Sequence, residues 1–320
     1  MSTLQALLLR RSTIESTQKM MGAMKVVAAT RLKKTQKAFD HTQTQQKKLL
    51  SLLADVVIDP NCGCLPLYAR NVLAKPKSTH TRPGKTSALK AQQAKPLDAE
   101  NWLKDAQPKG PLMWIVLGAD KGLCGSFHTQ LLRTAKAYKT LLTHPHSLLY
   151  VWGAKTAKML EKNGFNVAFQ QPVGRTSALE RVQTTLQAAK THPLKPALGF
   201  VWLHFRTALL QTPRVATLSD LLAPLFQNKN KPTLDEANVL VEPSVDLFLT
   251  HFFKLYTAQH ILSLFLEASL SEEGARMAAM DNASRNSDDI LKDITLLYNR
   301  TRQAMITREL IEVVSGANAL

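Results

Sequence analysis

The amino-terminal part of the chain carries one long, unbroken pattern of apolar and polar positions. From Thr3 to about Ile58 there is no proline, and Gly22 is the only glycine. The apolar positions form a face wider than a strict two-stranded seam, and they include Leu4, Leu8, Ile14, Met21, Met24, Ala28 and Leu32. At about 1.5 Å per residue, the pattern predicts a helix roughly 80 Å long.

The middle of the chain changes to short apolar runs that alternate with helical segments. The predicted strands are Leu112–Leu117, Leu148–Trp152, Val167–Phe169 and Ala197–Leu203. The predicted helices between them are Cys124–Leu142, Ala154–Asn163 and Arg175–Lys190. This alternation is typical of parallel strands joined by crossover helices, and it predicts a small, doubly wound, Rossmann-like α/β domain.

Helical periodicity returns from Pro243 to Leu320, where no further proline occurs. Apolar and small residues repeat there at alternating spacings of four and three, the spacing of a coiled coil: Ile290, Ile294, Leu297, Thr301 and Ala304. We therefore expect the two ends of the chain to pair as one long antiparallel coiled coil, with the α/β domain at its side. Neither helix can bury its wide apolar face on the other alone, so a surrounding partner is implied.

Between the first helix and the α/β domain, many prolines and lysines interrupt all periodicity. The sequence thus predicts four regions: a coiled-coil helix at 1–59, a basic insertion or loop at 60–110, the α/β domain at 111–242 and a second coiled-coil helix at 243–320. No apolar run reaches the roughly 18 residues that a membrane-spanning helix needs.

The net charge of the chain and its distribution indicate which kinds of partner the protein binds. The formal net charge is +17, and one concentration lies on the first helix, where ten Lys and Arg residues face few acidic ones. Such an excess indicates nucleic acid, an anionic membrane surface or acidic protein partners. Phe39 is the only aromatic residue before Tyr68, so the aromatic stacking that single-stranded nucleic acids need is missing there. The pattern favours acidic protein partners.

Candidate chemical motifs are weak throughout. A glycine-rich turn follows the first predicted strand, but Gly118, Gly122 and Gly125 lack the spacing of a dinucleotide-binding fingerprint. Cys62 and Cys64 lie close together without a second pair of metal ligands. No catalytic triad or carboxylate pair stands out at a strand end. The sequence predicts no catalytic residue, no metal site and no cofactor.

Five segments closely resemble the gamma subunit family of F-type ATP synthases. They are Ser16–Ala29, Asp120–Phe127, Ala275–Met280, Leu297–Leu310 and Glu312–Ala317. The resemblance covers about four fifths of the chain and is most specific in the last helix. Three positions depart from the family pattern: His128 stands for Asn, Ala119 for Ser, and Gly22 for a helix former such as Lys.

The resemblance implies a central rotor subunit that is not itself catalytic. Rotation of the c ring would be coupled to conformational change at beta-subunit sites where ATP is made or hydrolysed. The implied partners are the alpha and beta subunits, epsilon, delta and the c ring, with no nucleic acid. The implied location is peripheral, on the cytoplasmic face of a bacterial inner membrane, or alternatively on the matrix side of the mitochondrial inner membrane.

The resemblance also assigns site residues. Contact with the ring of alpha and beta subunits is expected at Lys19, Met24, Lys25, Arg31, Arg276, Arg302, Gln303, Thr307, Val314 and Leu320. Contact with epsilon and the c ring is expected at Gly122, Leu123, Cys124, Gly125 and Phe127. Two other functions compete with this one. A nucleic-acid-binding protein with helical arms would bind DNA or RNA in a salt-dependent way, and a nucleotide-dependent enzyme would bind nucleotide as an isolated chain.

Overall fold

A computed structural model describes residues 3–54, 112–144, 147–174, 176–192, 197–222 and 245–318. In chain order its elements are α1 (Thr3–Ala54), β1 (Leu112–Leu117), α2 (Phe127–Ala137), α3 (Lys139–Leu142), β2 (Ser147–Trp152), α4 (Ala154–Lys162), β3 (Phe169–Gln171), α5 (Ala178–Thr191), β4 (Ala197–Phe205), β5 (Gln211–Thr217), α6 (Leu218–Leu222) and α7 (Val245–Asn318).

The two long helices α1 and α7 pack against each other, and this pair forms the shaft of the molecule. The predicted pairing of the two chain ends is therefore confirmed. The predicted seam is covered only in part, because Ile294 is 6% exposed whereas Ile290 and Leu297 are 44% and 51% exposed. A shaft of two helices covers one side of each helix and leaves the remainder of a wide apolar face uncovered.

The middle domain is built on a five-stranded sheet in the order β3-β2-β1-β4-β5. The first four strands are parallel, which confirms the doubly wound α/β class. The fifth strand was not predicted, and it pairs antiparallel with β4. Pro213 cannot donate a ladder hydrogen bond, and an edge strand such as β5 is where a sheet tolerates it.

The sheet buries both faces, which is why β1 is a continuous apolar run rather than an alternating one. On one face, Met113, Ile115 and Leu117 join the first half of α7 and α5 in one apolar core. On the other, Trp114 and Val116 pack with α2, α3 and α4 in a second core. A capping box starts α5: Ser177 Oγ accepts the Glu180 backbone N–H, and the Glu180 carboxylate accepts that of Ser177.

Candidate functional site

Side-chain contacts along the shaft fix the register of its two helices. Gln18 donates to Asp288, Lys25 pairs with Asp281, and Gln259 donates to Gln45 near the other end. Each step towards the carboxyl end of α1 is matched by a step towards the amino end of α7, so the helices run antiparallel. Continued in this register, Thr3 lies opposite about residue 303 of α7.

The last four turns of α7 therefore extend beyond α1, and we call residues 302–317 the bare end. Five of its large apolar side chains are between 48% and 69% exposed, and they are Ile306, Leu310, Ile311, Val313 and Val314. The predicted site residues Arg302, Gln303, Thr307 and Val314 all lie on this segment and are exposed. Leu320 lies outside the described residues. Apolar exposure of this extent marks a surface that a partner covers.

The amino-terminal helix contributes the basic side of the shaft. Lys19 is exposed and Met24 is half-buried. Lys25 pairs with Asp281, and its hydrogen bond lowers the pKa of that carboxyl. The guanidinium of Arg31 lies 3.7 Å from the Glu273 carboxylate. Exposed pairs of this kind contribute little to stability, so both cations remain able to meet other acidic groups.

Arg276 lies in a different environment from the other predicted ring contacts. Its side chain is 11% exposed, and it pairs with Glu272 and, at 2.8 Å, with Glu273 on its own helix. Burial raises the pKa of the Glu272 carboxyl, and the neighbouring Arg276 opposes that rise. The guanidinium is thus already engaged within the chain, and its contact with a ring subunit stays a prediction.

The loop after β1 divides the second predicted site into an exposed part and a supporting part. Leu123 adopts a positive φ of 61° and is 61% exposed, and Gly122 is half-buried. Cys124 and Phe127 are buried in the core beneath it. Gly125 faces α7, where an added Cβ would lie 3.6 Å from the Cβ of Ala279. The surface that this loop offers to a partner is therefore centred on Leu123.

Two buried groups hold this loop on the domain. His128 contacts the Thr156 hydroxyl through Nδ1 at 3.2 Å and the Lys121 carbonyl through Nε2 at 3.0 Å. Burial lowers the pKa of the His128 imidazole, so the neutral ring that suits these two contacts is favoured. Burial also raises the pKa of the Cys124 thiol, which keeps it protonated and unreactive.

The place where doubly wound domains usually bind ligands is occupied by the shaft. That place is the crevice at the carboxyl ends of the strands where the strand order reverses, here between β1 and β4. Ser271 of α7 donates to the Leu203 carbonyl of β4, and Ala275 packs beside Cys124 of the β1 loop. The crevice is therefore filled by a helix of the same chain. A nucleotide-dependent enzyme would need this crevice for its nucleotide, so that alternative loses its binding position.

One buried carboxylate where α7 packs on the end of β4 was not predicted as a functional residue. Glu267 is 7% exposed, and it accepts a hydrogen bond of 2.8 Å from the indole Nε1 of Trp202. Its second oxygen contacts Nδ1 of His204. The signal in the sequence is a single acidic residue between Phe265 and Ala268, within an otherwise apolar helical face.

The described residues offer neither a membrane-spanning helix nor a cluster of metal ligands. None of their helices is long and apolar enough to cross a bilayer. Within the same ranges, no three His, Cys, Asp or Glu side chains are grouped as a metal site would need.

These surfaces define a class of protein, a helical shaft that acts through contacts with surrounding subunits and carries an α/β domain at its side. A family model described as ATP synthase matches residues 3–320. The ATP synthase gamma chain of Pelotomaculum thermopropionicum is 30% identical over the full length of both chains. That of Maricaulis maris is 28% identical, again over the full length of both.

Solved structures share the fold. The rotor of the Euglena gracilis mitochondrial ATP synthase matches 95% of this chain and 99% of its own, with a TM-score of 0.56 and 15% identity. A chain of the Tetrahymena thermophila central stalk and c ring matches 83% of this chain and 99% of its own, with a TM-score of 0.50 and 20% identity. The chain belongs to the ATP synthase gamma chain family, whose members are noncatalytic central-stalk subunits.

Proposed function

We propose that this chain is the axle that couples rotation of a c ring to conformational change at the catalytic sites of beta subunits. The observation that carries the proposal is the bare end of α7, a helix that presents apolar side chains with no other described helix of this chain beside them. A ring of alpha and beta subunits would form the sleeve around it. Small and apolar side chains would let the axle turn there with few hydrogen bonds to break.

The axle acts as a ligand that distinguishes between conformations of identical subunits. A contact shifts an equilibrium only by its difference in affinity for the two states. The two sides of the shaft differ in chemistry, since α1 is strongly basic whereas the facing stretch of α7, residues 281–293, carries four aspartates against one arginine and one lysine. Each of three beta subunits around such a shaft would meet a different surface, and rotation would exchange those surfaces among them.

Residue roles follow from this arrangement. Lys19, Met24, Lys25 and Arg31 would face acidic loops of the beta subunits. A second set would make polar contacts with the ring: Arg302, Gln303, Thr307 and, through its engaged guanidinium, Arg276. Val314 and Leu320 would lie in the apolar sleeve.

The α/β domain would bind epsilon and the c ring through the loop after β1. Leu123 offers the contact surface, while Gly122, Cys124, Gly125 and Phe127 shape the loop. The chain would then be peripheral to the membrane, on the cytoplasmic face of a bacterial inner membrane. We also propose the division into a helix at 1–59, a basic insertion at 60–110, a domain at 111–242 and a helix at 243–320.

A charge reversal on α1 tests the coupling role. In ATP synthase assembled with the Lys25→Glu chain, ATP hydrolysis should continue while proton pumping per ATP falls, because a carboxylate then faces acidic loops. Both rates are measured in the same inverted membrane vesicles. Pumping per ATP equal to that of the unaltered enzyme would remove Lys25 from the coupling surface.

Lys25 also pairs with Asp281 within the chain, so the loss of that pair needs its own control. Asp281→Asn removes the same pair without adding a negative charge to α1. If the Lys25→Glu effect comes from a facing acidic loop, Asp281→Asn should pump as well as the unaltered enzyme. An equal loss in both variants would assign the effect to the shaft itself.

A further inference from the structure

The α/β domain is joined to the shaft through one helix. Among the described elements, α1 packs extensively only against α7. The domain packs on α7 through β4, α5 and α2. Within the part of the chain that the structure describes, turning force between the domain and the rest of the shaft therefore passes mainly through the contact between the domain and α7.

Most of that contact is apolar. Leu249, Phe253, Ile261 and Phe265 of α7 are buried against the sheet and α5. The hydrophobic effect that holds such a surface is not directional and scales with buried area. An apolar surface of this kind resists separation, but by itself it specifies the angle of the domain about the helix less sharply than hydrogen bonds do.

Directional contacts are concentrated on one stripe of α7. Glu267 accepts from Trp202 Nε1 at 2.8 Å and contacts His204 Nδ1 through its other oxygen. One turn later, Ser271 Oγ donates to the Leu203 carbonyl at 2.6 Å. Three consecutive residues of β4 are thus bound by two residues of α7 that share a helical face. We call these five residues the latch.

A close fit follows the latch along the same face. An added Cβ at Gly274 would lie 2.9 Å from a ring carbon of Phe205 and 3.3 Å from Cα of Ala208. The absence of a side chain at Gly274 therefore lets the end of β4 and the following turn approach the helix backbone. The stripe 267, 271, 274 combines hydrogen bonds with a notch in the helix surface.

We infer that the latch is the torque-bearing joint of this axle, with Glu267 as its positioning residue. A slip of α7 against β4 by one residue would separate the Glu267 carboxylate, the Trp202 indole N–H and the Ser271 hydroxyl from their partners together. Buried polar groups without partners are strongly disfavoured, so the latch holds the domain at one angle on the shaft. The inference rests on the proposed function, because torque matters only in a rotating subunit.

The test compares ATP hydrolysis with proton pumping in ATP synthase assembled with each variant. ATP synthase with Glu267→Leu should retain ATP hydrolysis at the ring of alpha and beta subunits. Its proton pumping per ATP should fall several-fold, because the shaft then turns without carrying the α/β domain. Glu267→Gln is the conservative match: its amide oxygen accepts from the Trp202 indole N–H, and its amide nitrogen takes the place of the second carboxylate oxygen beside His204 Nδ1, so pumping should be retained. Trp202→Phe removes the indole donor, and it serves as a second variant if Glu267→Leu fails to assemble.

A covalent bridge across the same contact separates slipping from other defects. In a chain with Cys62, Cys64 and Cys124 changed to Ser, the pair Gly125→Cys and Ala279→Cys places two Cβ atoms about 3.6 Å apart, within the range of a disulfide. Oxidation should restore pumping per ATP in the Glu267→Leu variant, and reduction should abolish that rescue. The same two cysteines in a chain that keeps Glu267 are the control. They show what a side chain at position 125, where φ is positive, does by itself.

Three outcomes are distinguishable. Full pumping by both Glu267→Leu and Trp202→Phe would overturn the latch. So would a loss of pumping that the oxidised bridge does not restore. The proposed function fails instead if the assembly that hydrolyses ATP and pumps protons does not contain the unaltered chain.

Discussion

The two ends of α7 show how one continuous helix serves two environments. Its embedded segment, residues 248–280, is buried against the sheet and α5 and carries Phe253, Phe265 and Met280 in the core. The bare end, residues 302–317, carries Ile306, Leu310 and Val314 in the open. Apolar residues occur on both, so hydrophobicity alone does not separate a folding core from a partner surface. What separates them is whether the chain itself supplies the covering layer.

The largest expected difference is in the cost of removing a large side chain. Phe253→Ala in the embedded segment should lower the free energy of unfolding by about 3–5 kcal/mol, because it leaves a cavity in a packed core. Ile306→Ala on the bare end should change it by no more than about 0.5 kcal/mol. Denaturant unfolding of the full chain measures both. Equal costs would show that the bare end is covered in the isolated chain.

Two helical glycines extend the comparison. Gly274→Val should destabilise the chain by about 1–3 kcal/mol, because the new side chain meets Phe205 and Ala208. Gly22→Val is the matched control, since nothing lies within 4 Å of an added Cβ at Gly22. The same denaturant titration distinguishes them. If Gly274→Val leaves the free energy of unfolding unchanged, small shifts of Phe205 and Ala208 accommodate the new side chain.

A gain in stability is expected at Gly22, where an added Cβ has open space. Gly22→Ala should raise the free energy of unfolding by about 0.5–1 kcal/mol, because alanine loses less backbone freedom in a helix and adds no clash. Thermal unfolding of the full chain measures the change. A fall in stability would indicate that α1 needs the glycine at this point of the shaft.

The smallest expected effect is the part of the pH dependence of stability that comes from one histidine of the embedded segment. Burial lowers the pKa of the His260 imidazole, opposed by the charge of Glu267. The unfolded chain, with a pKa of about 6.5, then binds the proton first as pH falls. The stabilisation that neutral His260 contributes is complete above about pH 6.5. It is lost as the pH falls towards the pKa of His260 in the folded chain, and it does not change further below that pKa.

His260→Phe preserves the ring that stacks on Tyr256 and removes the titrating group. Thermal unfolding between about pH 7.5 and 5.5 should therefore show a smaller loss in His260→Phe than in the unaltered chain. Removal of the exposed His251 from the same helix is the matched control for loss of a histidine. An unchanged slope in His260→Phe would locate the acid sensitivity elsewhere.

Local pattern was sufficient for most elements of the fold. Leu112–Leu117 forms a strand with the predicted bounds, because an apolar run of that length fits the centre of a doubly covered sheet. Both long helices were predicted from the absence of proline over long stretches. The strand β5 was missed because its sequence, QTPRVAT, neither alternates nor forms an apolar run, and its stability comes from pairing with β4.

The site residues show where sequence reasoning stops. Exposure of Arg302, Gln303 and Thr307 follows from their position beyond the end of α1, which depends on a register set by side-chain pairs far apart in sequence. The pairing of Arg276 with Glu272 and Glu273 was readable from helical spacing, but its burial by the domain was not. The two partners of Glu267 lie 63 and 65 residues away on a strand, so only the tertiary structure identifies them.

The antiparallel shaft has a consequence for how the chain is made. Its cross-helix hydrogen bonds join residues between 213 and 270 positions apart. At about 5–20 residues per second, the ribosome releases the first helix roughly 10–50 s before the segment that it pairs with. Throughout that interval Ala28, which is 1% exposed in the folded chain, and the half-buried Met21 and Met24 lack the helix that covers them. Biogenesis of this subunit therefore requires its earliest segment to stay unaggregated until translation ends.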